Sequence, residues 1–393
     1  MKSDKNIREG YKKTAVGVIP EEWEVKRLKE ACKHFKSGYG ITSRDIKKDD
    51  KYPVYGGNGL RGFTDSYTHE GDYFLIGRQG ALCGNIQRIK GKVFISEHAI
   101  AVQTNKNNNL DFLAYKLEHF NLNRLSESSA QPGLAVNKLV RLRIPIPPLP
   151  EQQAIANCLT TWDSGIEKLT QLIAAKREQK KGLMQQLLTG KKRLDGFVGE
   201  WKEVKLDKLG KFTSGNGFPI SEQGGTSGIP FYKVSDMNLK GNESIMSISN
   251  NYLSSSQIER LKLKPINKVS IIFAKVGAAI YLERKRVAKS FLIDNNMMAF
   301  TPFVFNDFIK FVFDTINLSR YVQMGALPSY NASDLKNIKI RVPSYREQTA
   351  IAHILTTADQ EISLLEAKLA AMKEEKKGLM QVLLTGKKRL IDS

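Results

Sequence analysis

The sequence predicts an α+β fold in which two similar mixed α/β domains are joined by a long antiparallel helical pair, with an internal pseudo-two-fold repeat. Residues 151–194 and 347–390 are identical at 28 of 44 positions, at an offset of 196 residues in a chain of 393. Both segments also carry apolar residues at alternating intervals of four and three. A module repeated at half the chain length indicates two copies of one structural unit.

The globular segments repeat as well. Residues 74–81 align with 271–278 at an offset of 197, and Glu97-His98 then falls on Asp294-Asn295. Nearer the start of each copy the offset is only 177 to 178, so the second copy carries an insertion before residue 271. The predicted order is a domain at 1–150, a helix at 151–194, a domain at 195–346 and a helix at 347–393.

The 4,3 spacing of apolar residues in both helices indicates a coiled-coil seam. A second helix packed along the first must run back toward the first domain, so the pair is antiparallel. Helices of roughly 40 residues span about 60 Å and would hold the domains near opposite ends of a rod. The alternative is that each helix packs only on its own domain. The predicted spacer positions are Ile155, Leu159, Trp162, Ile166, Leu169, Ile173, Leu183, Leu187, Ile351, Leu355, Ile362, Leu365, Leu369, Leu379 and Leu383.

The helix ends carry recognisable caps. Ser344 and Glu347 have the spacing of a capping box, in which each side chain bonds a free backbone amide of the first turn. Gly190 and Gly386 follow the last periodic residue of each helix and are expected to be C-caps.

The formal net charge of +21 predicts a polyanionic partner, most often nucleic acid. Most of this charge lies in the two globular segments. A generally basic surface without a specific partner is the alternative. No stretch of 18 apolar residues suggests a membrane span, and the N-terminus has no signal-peptide core.

No catalytic or metal site is indicated by the sequence. The three cysteines, Cys32, Cys83 and Cys158, are widely spaced and odd in number, which favours a reducing cytoplasm and neither zinc nor disulfides. The five histidines have no metal-binding spacing. No GxxxxGK[ST] phosphate loop is present, and the Pro147-Pro148 pair is not in the setting of an amino-methyltransferase. We therefore expect a binding protein.

A family resemblance follows from these motifs. The chain opens with Pro20-x-x-Trp23-x-x-x-x-Leu28, continues through a variable domain into IPxPPLPEQxxIAxxL and a helix ending LLTGKKRL, and then repeats this order. It resembles the specificity subunit of type I restriction–modification enzymes over nearly its whole length. The second copy reads VPSYREQTAIA where the first reads IPPLPEQQAIA, a departure that falls in the turn before the helix.

The resemblance implies a chain without an active site that decides where chemistry occurs. Each domain would be a target recognition domain that reads one half of a bipartite, asymmetric site in double-stranded DNA. The helices would fix the gap and dock two modification subunits. S-adenosylmethionine would be bound by those methyltransferase subunits, and ATP and magnesium would belong to partner subunits that include the restriction translocase and nuclease; this chain would bind no cofactor.

Candidate DNA contacts lie in polar loops of both copies. Glycines permit close backbone approach, Asn and Arg side chains can read adenine and guanine, and basic side chains can hold phosphates. Arg78 and Lys275 occupy equivalent positions. The alternatives are an ordinary solvated turn or edge for the loop residues and a buried polar network for His98 and Asn295. The candidates are Asn58, Arg61, Arg78, Gln79, His98, Gln131 and Asn137 in the first domain, and Lys233, Ser235, Lys275, Arg284, Lys285, Asn295, Tyr330 and Asn331 in the second.

Two other classes of function remain open from the sequence. A stand-alone DNA-binding or regulatory protein would have polar outer helix faces that dock nothing. A single-chain nuclease or methyltransferase would be active with a divalent metal or S-adenosylmethionine alone.

Overall fold

The protein is described by a computed structural model that covers residues 7–80, 82–126 and 133–390. Packing divides the chain into two compact units, unit 1 with Met1–Gln171 and Glu366–Ser393, and unit 2 with Leu172–Leu365. Both long helices pass from one unit into the other. Each unit therefore contains one globular domain and a part of each helix, whereas the four segments drawn from the sequence follow chain order.

The domain of unit 1 is built around a six-stranded sheet with the order β4-β9-β7-β8-β5-β6, and two further strand pairs, β1-β2 and β10-β3, complete it. Its elements are β1 (Tyr11–Thr14), β2 (Gly17–Pro20), β3 (Glu24–Arg27), α1 (Leu28–Ala31), β4 (Cys32–Ser37), β5 (Tyr52–Gly56), β6 (Gly59–Thr64), β7 (His69–Gly77), β8 (Ile86–Ile95), β9 (Ala99–Thr104), α2 (Leu110–Phe120), α3 (Val136–Leu139) and β10 (Arg143–Ile146), followed by the long helix α4 (Leu149–Leu187).

The domain of unit 2 is built around a four-stranded sheet with the order β12-β18-β15-β16, beside the sheet β14-β13-β17 and the pairs β11-β21 and β19-β20. Its elements are β11 (Lys202–Lys205), β12 (Gly210–Ser214), β13 (Ile229–Tyr232), β14 (Tyr252–Leu253), α5 (Ser255–Arg260), β15 (Ser270–Ala274), β16 (Lys285–Ala288), β17 (Leu292–Ile293), β18 (Met297–Pro302), α6 (Asp307–Thr315), β19 (Val322–Gln323), β20 (Ser329–Tyr330), α7 (Ala332–Lys336) and β21 (Lys339–Val342), followed by the long helix α8 (Tyr345–Leu383).

The two domains share one plan, which confirms the predicted repeat. The strand order β4-β9-β7-β8 in unit 1 matches β12-β18-β15-β16 in unit 2. In both, a strand from the middle of the domain pairs in parallel, β5 with β8 and β13 with β17. In both, the last strand before the long helix pairs antiparallel with a strand from the start of the domain, β10 with β3 and β21 with β11. The insertion of the second copy contains β14 and α5. The fold is therefore the predicted α+β fold.

The two long helices run antiparallel within each unit. In unit 1, Asp163 of α4 pairs with Lys376 of α8 at 2.5 Å. In unit 2, Lys180 of α4 pairs with Asp359 of α8, also at 2.5 Å. All fifteen predicted spacer residues are buried or half-buried, and those near the helix ends also join the cores of the domains. Both sequence interpretations are thus partly correct, because the helices pack on each other and on a domain.

Lys180 and Lys376 stand at seam positions that are otherwise apolar, and each pairs with an aspartate of the other helix. These pairs should fix the register, since a charged seam position tolerates one alignment. We expect Lys180→Asp to lower the free energy of unfolding by about 1 kcal/mol. The charge swap Lys180→Asp with Asp359→Lys should restore most of it. The control is the solvated pair of Lys181 and Glu178 on the outer face of α4, where the same swap should change nothing. Thermal unfolding would show this, and an unrecovered swap would contradict the role in register.

Each long helix is fastened at its start by an arginine from the end of the other. Arg389 donates from Nε and Nη2 to the two oxygens of Glu151 at 2.6 and 2.9 Å. Arg193 donates likewise to Glu347 at 2.6 and 2.8 Å. Both glutamates are buried. We call each arginine–glutamate pair a clasp, and each clasp lies within one unit.

The clasps correct one prediction about the helix ends. Ser344 accepts a hydrogen bond from the backbone N–H of Glu347 at 3.4 Å, as a capping box requires. The Glu347 carboxylate, however, binds Arg193 instead of a backbone amide, so only half of the capping box forms. Gly190 and Gly386 end the helices with φ of 70° and 72°, which confirms the predicted C-caps. In the described part of the chain, no helix is long and apolar enough to cross a membrane.

Two histidines in unit 1 are placed so that acid should destabilise it. The rings of His34 and His69 lie 5.4 Å apart. Burial, with the nearby His34, lowers the pKa of His69 to about 4, and burial with the charge of Lys36 lowers the pKa of His34. A histidine whose pKa is depressed on folding takes up its proton preferentially in the unfolded chain. The associated stability is therefore present above about pH 6.5 and is lost as the pH falls toward 4.

We expect unit 1 to lose more stability than unit 2 when the pH is lowered from about 7 to about 5. His353 is the one histidine within unit 2, and it is exposed. His69→Gln should reduce the loss in unit 1 without abolishing it, because burial also lowers the pKa of His119. Hydrogen exchange of peptides from each unit, corrected for the intrinsic effect of pH, measures both. An equal loss in the two units would contradict the assignment.

Candidate nucleic-acid interface

Four backbone segments of unit 2 meet at the ends of its central strands and form what we call loop cluster 2. Lys275, which follows β15, donates its backbone N–H to the carbonyl of Asn296 at 2.7 Å. The N–H of Asp294 bonds the carbonyl of Tyr232 at 3.0 Å, and that of Asn216 bonds Ile293 at 2.9 Å. The cluster comprises residues 214–216, 232–235, 274–276 and 294–296.

Unit 1 contains the same arrangement, loop cluster 1. Arg78, which follows β7, donates its backbone N–H to the carbonyl of His98 at 2.9 Å. The N–H of Ser96 bonds the carbonyl of Tyr55 at 2.8 Å, and that of Tyr39 bonds Ile95 at 2.9 Å. The cluster comprises residues 38–39, 55–58, 77–79 and 96–98. The backbone plan is duplicated, while most of the side chains that it presents differ.

The matching hydrogen bonds correct the alignment of the two copies by one residue. The carbonyl that receives the bond from Arg78 belongs to His98, and the one that receives it from Lys275 belongs to Asn296. His98 therefore corresponds to Asn296, not to Asn295 as the sequence suggested. Arg78 and Lys275 are equivalent, as predicted, because each follows a strand in the same place of the sheet.

Glycine is required where two strands of each cluster approach closely. A Cβ on Gly38 would lie 2.2 Å from the carbonyl oxygen of Ile95, and one on Gly215 would lie 1.8 Å from that of Asp294. Both distances are far below van der Waals contact. These glycines let the end of β4 or β12 pack against the turn that carries the polar residues, so they set the shape of each cluster.

The predicted residues of unit 1 lie mostly around loop cluster 1. Asn58, Arg61 and Gln79 are exposed, and Arg78 and His98 are half-buried. The Nδ1 atom of His98 is 2.9 Å from Oε1 of Gln79, so the two side chains hold each other in place. Asn137 is exposed in α3. Gln131 lies outside the described residues.

The predicted residues of unit 2 surround loop cluster 2. Lys275 Nζ is 3.3 Å from the hydroxyl of Ser214, and Lys233 Nζ is 3.0 Å from Oε1 of Gln223. Arg284 donates to the side chain of Asn238 in the turn that follows β13. These three cations are half-buried. Three further candidates are exposed, namely Ser235, Asn295 and Asn331.

Two candidates are buried, and the structure gives them other roles. Tyr330 is 3% exposed and packs its ring on Phe273, at 6.1 Å between centroids. The ammonium of Lys285 bonds Glu283 at 3.0 Å and the carbonyl of Ile316 at 2.8 Å. Neither side chain can reach a nucleic acid from these positions. The expectation of DNA contact at Tyr330 and Lys285 is therefore wrong, because their side chains point into the domain.

The structure also adds residues that the sequence did not single out. These are Tyr39, which is exposed in loop cluster 1, and Asn216, which is exposed in loop cluster 2; Asn296, next to the candidate Asn295, is exposed as well. The repeated motif Ser-Gly-x-Gly, at 37–40 and 214–217, is the signal that could have indicated the first two. Burial raises the pKa of Asp294, which instead supports the turn by accepting the N–H of Asn296 at 3.1 Å.

Nothing in the described ranges resembles a metal centre, since no three His, Cys, Asp or Glu side chains are placed to share an ion. Both clusters offer amide groups and a guanidinium or ammonium group, and loop cluster 1 adds the imidazole of His98. These groups suit hydrogen bonding to bases and phosphates. The arrangement defines a recognition protein with two polar, basic surfaces built on one duplicated scaffold.

Comparison with known proteins identifies the family. The model described as type I restriction modification DNA specificity domain matches residues 20–177 and 199–374. The chain belongs to this family of type I restriction–modification specificity subunits.

Individual relatives agree with the assignment. The type I restriction enzyme EcoprrI specificity subunit of Escherichia coli is 38% identical over 172 residues, which is 42% of this chain and less than half, 43%, of that protein. The putative type I restriction enzyme MjaX specificity subunit of Methanocaldococcus jannaschii is 27% identical, covering 97% of each chain. The S subunit of a type I restriction–modification system from M. genitalium shares the fold, with a TM-score of 0.60 at 18% identity over 92% of this chain and 96% of the other.

Proposed function

We propose that this chain directs a type I restriction–modification complex to a bipartite, asymmetric DNA site, with one half-site bound by each domain. The observation that carries the proposal is the pair of loop clusters. Arg78 and Lys275 stand at one backbone position in both, while the polar side chains beside them differ. A shared cation suits the phosphates that every duplex has, and different neighbours suit different base sequences.

The division of labour within each cluster follows from chemistry. Arg78 and Lys275 would contact phosphates and set the position of the duplex. In unit 1, Asn58, Gln79 and His98 carry the donors and acceptors that can discriminate base edges in the major groove. In unit 2 the corresponding groups are Ser235, Asn295 and Asn296. Because the two sets differ, the two half-sites should differ.

The helices would dock the modification subunits. On the part of the helical pair that belongs to unit 2, Leu172 is 44% exposed and Leu364 is 72% exposed. Exposed leucines on an otherwise polar helix favour burial against another protein. We propose that the chain acts in the cytoplasm, binds no cofactor and catalyses nothing, and that S-adenosylmethionine, ATP and magnesium are bound by the modification and restriction subunits.

Methylation mapping tests the whole proposal. Long-read sequencing would be applied to cells that express the modification subunit encoded beside this chain, with and without the chain. A bipartite adenine motif that disappears without the chain is the expected result, and it would give both half-sites. An unchanged pattern, with an active modification subunit, would reject the proposal and favour a stand-alone DNA-binding protein.

Phosphate contacts by Arg78 and Lys275 predict a specific salt dependence. For the complex bound to its mapped site, Arg78→Gln or Lys275→Gln should reduce the slope of log affinity against log salt by about one. Lys289→Gln is the matched control, because it removes the same charge at the opposite end of β15. Ala288, the neighbour of Lys289, pairs with the first residue of β15, whereas Lys275 follows the last residue of that strand. A slope that changes equally in the control would show general charge attraction instead of a positioned contact.

A further inference from the structure

An exposed apolar hairpin projects from the domain of unit 2. Strands β19 and β20 form an antiparallel pair, and the loop between them carries Met324, 86% exposed, and Leu327, 63% exposed. Beside the loop, Tyr281 and Leu282 are also largely exposed, and the hydroxyl of Tyr281 is 3.9 Å from the sulfur of Met324. We call these four side chains the apolar tip. Exposed apolar side chains that cluster in this way indicate a binding surface.

The apolar tip is joined to loop cluster 2 through the backbone. Val276 and Ser329 form a β-bridge, and the N–H of Gly277 bonds the carbonyl of Pro328 at 2.9 Å. The N–H of Tyr330 bonds the carbonyl of Lys275 at 3.0 Å. The hairpin therefore starts and ends beside the lysine that we assign to a phosphate, and whatever lies against Lys275 also lies near the tip.

The stem of the hairpin is anchored to the domain, while the side chains of the tip are exposed. Tyr330 is buried in the core, and Gln323 donates to the carboxylate of Asp334 at 2.8 Å. A fixed stem lowers the entropy lost when the tip is immobilised on binding. Met and Leu are among the side chains that proteins insert between stacked base pairs, which partially unstacks them and kinks the duplex.

The positive charges around the apolar tip indicate which class of partner it binds. Lys275, the exposed Arg320 and the half-buried Arg284 lie on the segments that flank the apolar tip. A purely apolar protein surface would leave these cations without counter-charges, whereas duplex DNA offers phosphates at the sides and apolar base faces between them. The combination fits a base-pair step with its two backbones.

We propose that Met324 and Leu327 insert into the half-site bound by unit 2 and unstack one base step there. This inference rests on the proposed function, which supplies the duplex. The aligned segment of the first copy reads Ser-Ser-Ala-Gln at 128–131, where the second reads Met-Gly-Ala-Leu at 324–327. The first segment has no large apolar side chain, so the distortion is confined to one half-site.

The test uses the complex of this chain with its modification subunits and a duplex carrying the mapped site. The adenine analogue 2-aminopurine, whose fluorescence rises on unstacking, replaces one adenine at a time in and beside both half-sites, avoiding the two methylated adenines that the enzyme itself would extrude. Fluorescence at one step of the unit 2 half-site should rise by about threefold or more. Met324→Ala with Leu327→Ala should return it to the level of free duplex and weaken binding by about tenfold.

The matched control is Phe303→Ala with Val304→Ala. Both side chains are 62% exposed, and they follow the end of β18 that lies away from loop cluster 2. The control should keep both the signal and the affinity. A tip variant that binds and distorts DNA like wild type would overturn the inference. So would a tip variant that no longer co-purifies with the modification subunits, since the tip would then be a protein-docking surface.

Failure of the proposed function would be seen separately. If the wild-type chain directs no methylation, both proposals fall before any labelled duplex is made. If it directs methylation and no base step brightens in the unit 2 half-site, only the inserted tip is rejected.

Discussion

Replacing Arg389 by alanine is expected to lower the free energy of unfolding of unit 1 by about 3 kcal/mol. The Glu151 carboxylate is buried and accepts from Nε and Nη2 of Arg389 and from the indole N–H of Trp23, the last at 2.9 Å. Without the arginine, a charge with one remaining donor is left in the interior. Urea unfolding monitored on unit 1 would measure the loss.

The controls separate the clasp from general charge effects. Lys388→Ala removes the same charge one residue earlier, from an exposed side chain, and should be neutral. Arg389→Lys keeps the charge without the two-pronged geometry and should recover only part of the stability. Adding Glu151→Gln to Arg389→Ala should be less harmful than Arg389→Ala alone, because the unpaired buried charge is gone. If the effects of the two substitutions on the free energy of unfolding are additive, the unpaired Glu151 carboxylate is not the cause of the lost stability.

If unit 2 binds one half-site, as proposed, replacing Gly215 by alanine is expected to remove recognition of that half-site. The new Cβ would lie 1.8 Å from the carbonyl oxygen of Asp294, so the end of β12 must move away from the turn that carries Asn295. Such overpacking costs about 1–3 kcal/mol and displaces the polar groups of loop cluster 2. Methylation of the bipartite site should fall by at least about tenfold, since displacements near 1 Å already have large effects on positioned chemistry.

The chain supplies its own matched control two residues later. A Cβ on Gly217 would meet nothing within 4 Å, so Gly217→Ala should leave methylation unchanged. Unit 1 repeats the pair, with Gly38 closely packed and Gly40 open. Gly38→Ala should therefore lower methylation, and Gly40→Ala should leave it unchanged. If the two variants within either pair methylate equally, the close approach of the strands does not shape the interface.

Local pattern was enough to predict the plan of the protein. The 4,3 spacing is a property of consecutive turns of one helix, so the seam could be read directly, and Ile155, Leu355 and Leu383 are buried as predicted. The equivalence of Arg78 and Lys275 was also visible, because the strands before them align without gaps. Gly190 and Gly386 revealed the helix ends, since a left-handed residue is favoured there.

What lies far apart in the chain was decided only by tertiary structure. Arg389 and Glu151 are 238 residues apart, and no local pattern states that a helix-end arginine satisfies that buried carboxylate. The same holds for Tyr330 and Lys285, which look like loop residues in the sequence and are buried in the fold. The one-residue shift that pairs His98 with Asn296 also depends on which carbonyl a neighbouring strand reaches. Periodicity is encoded locally, whereas the partner of a buried polar group is set by the packing of the whole domain.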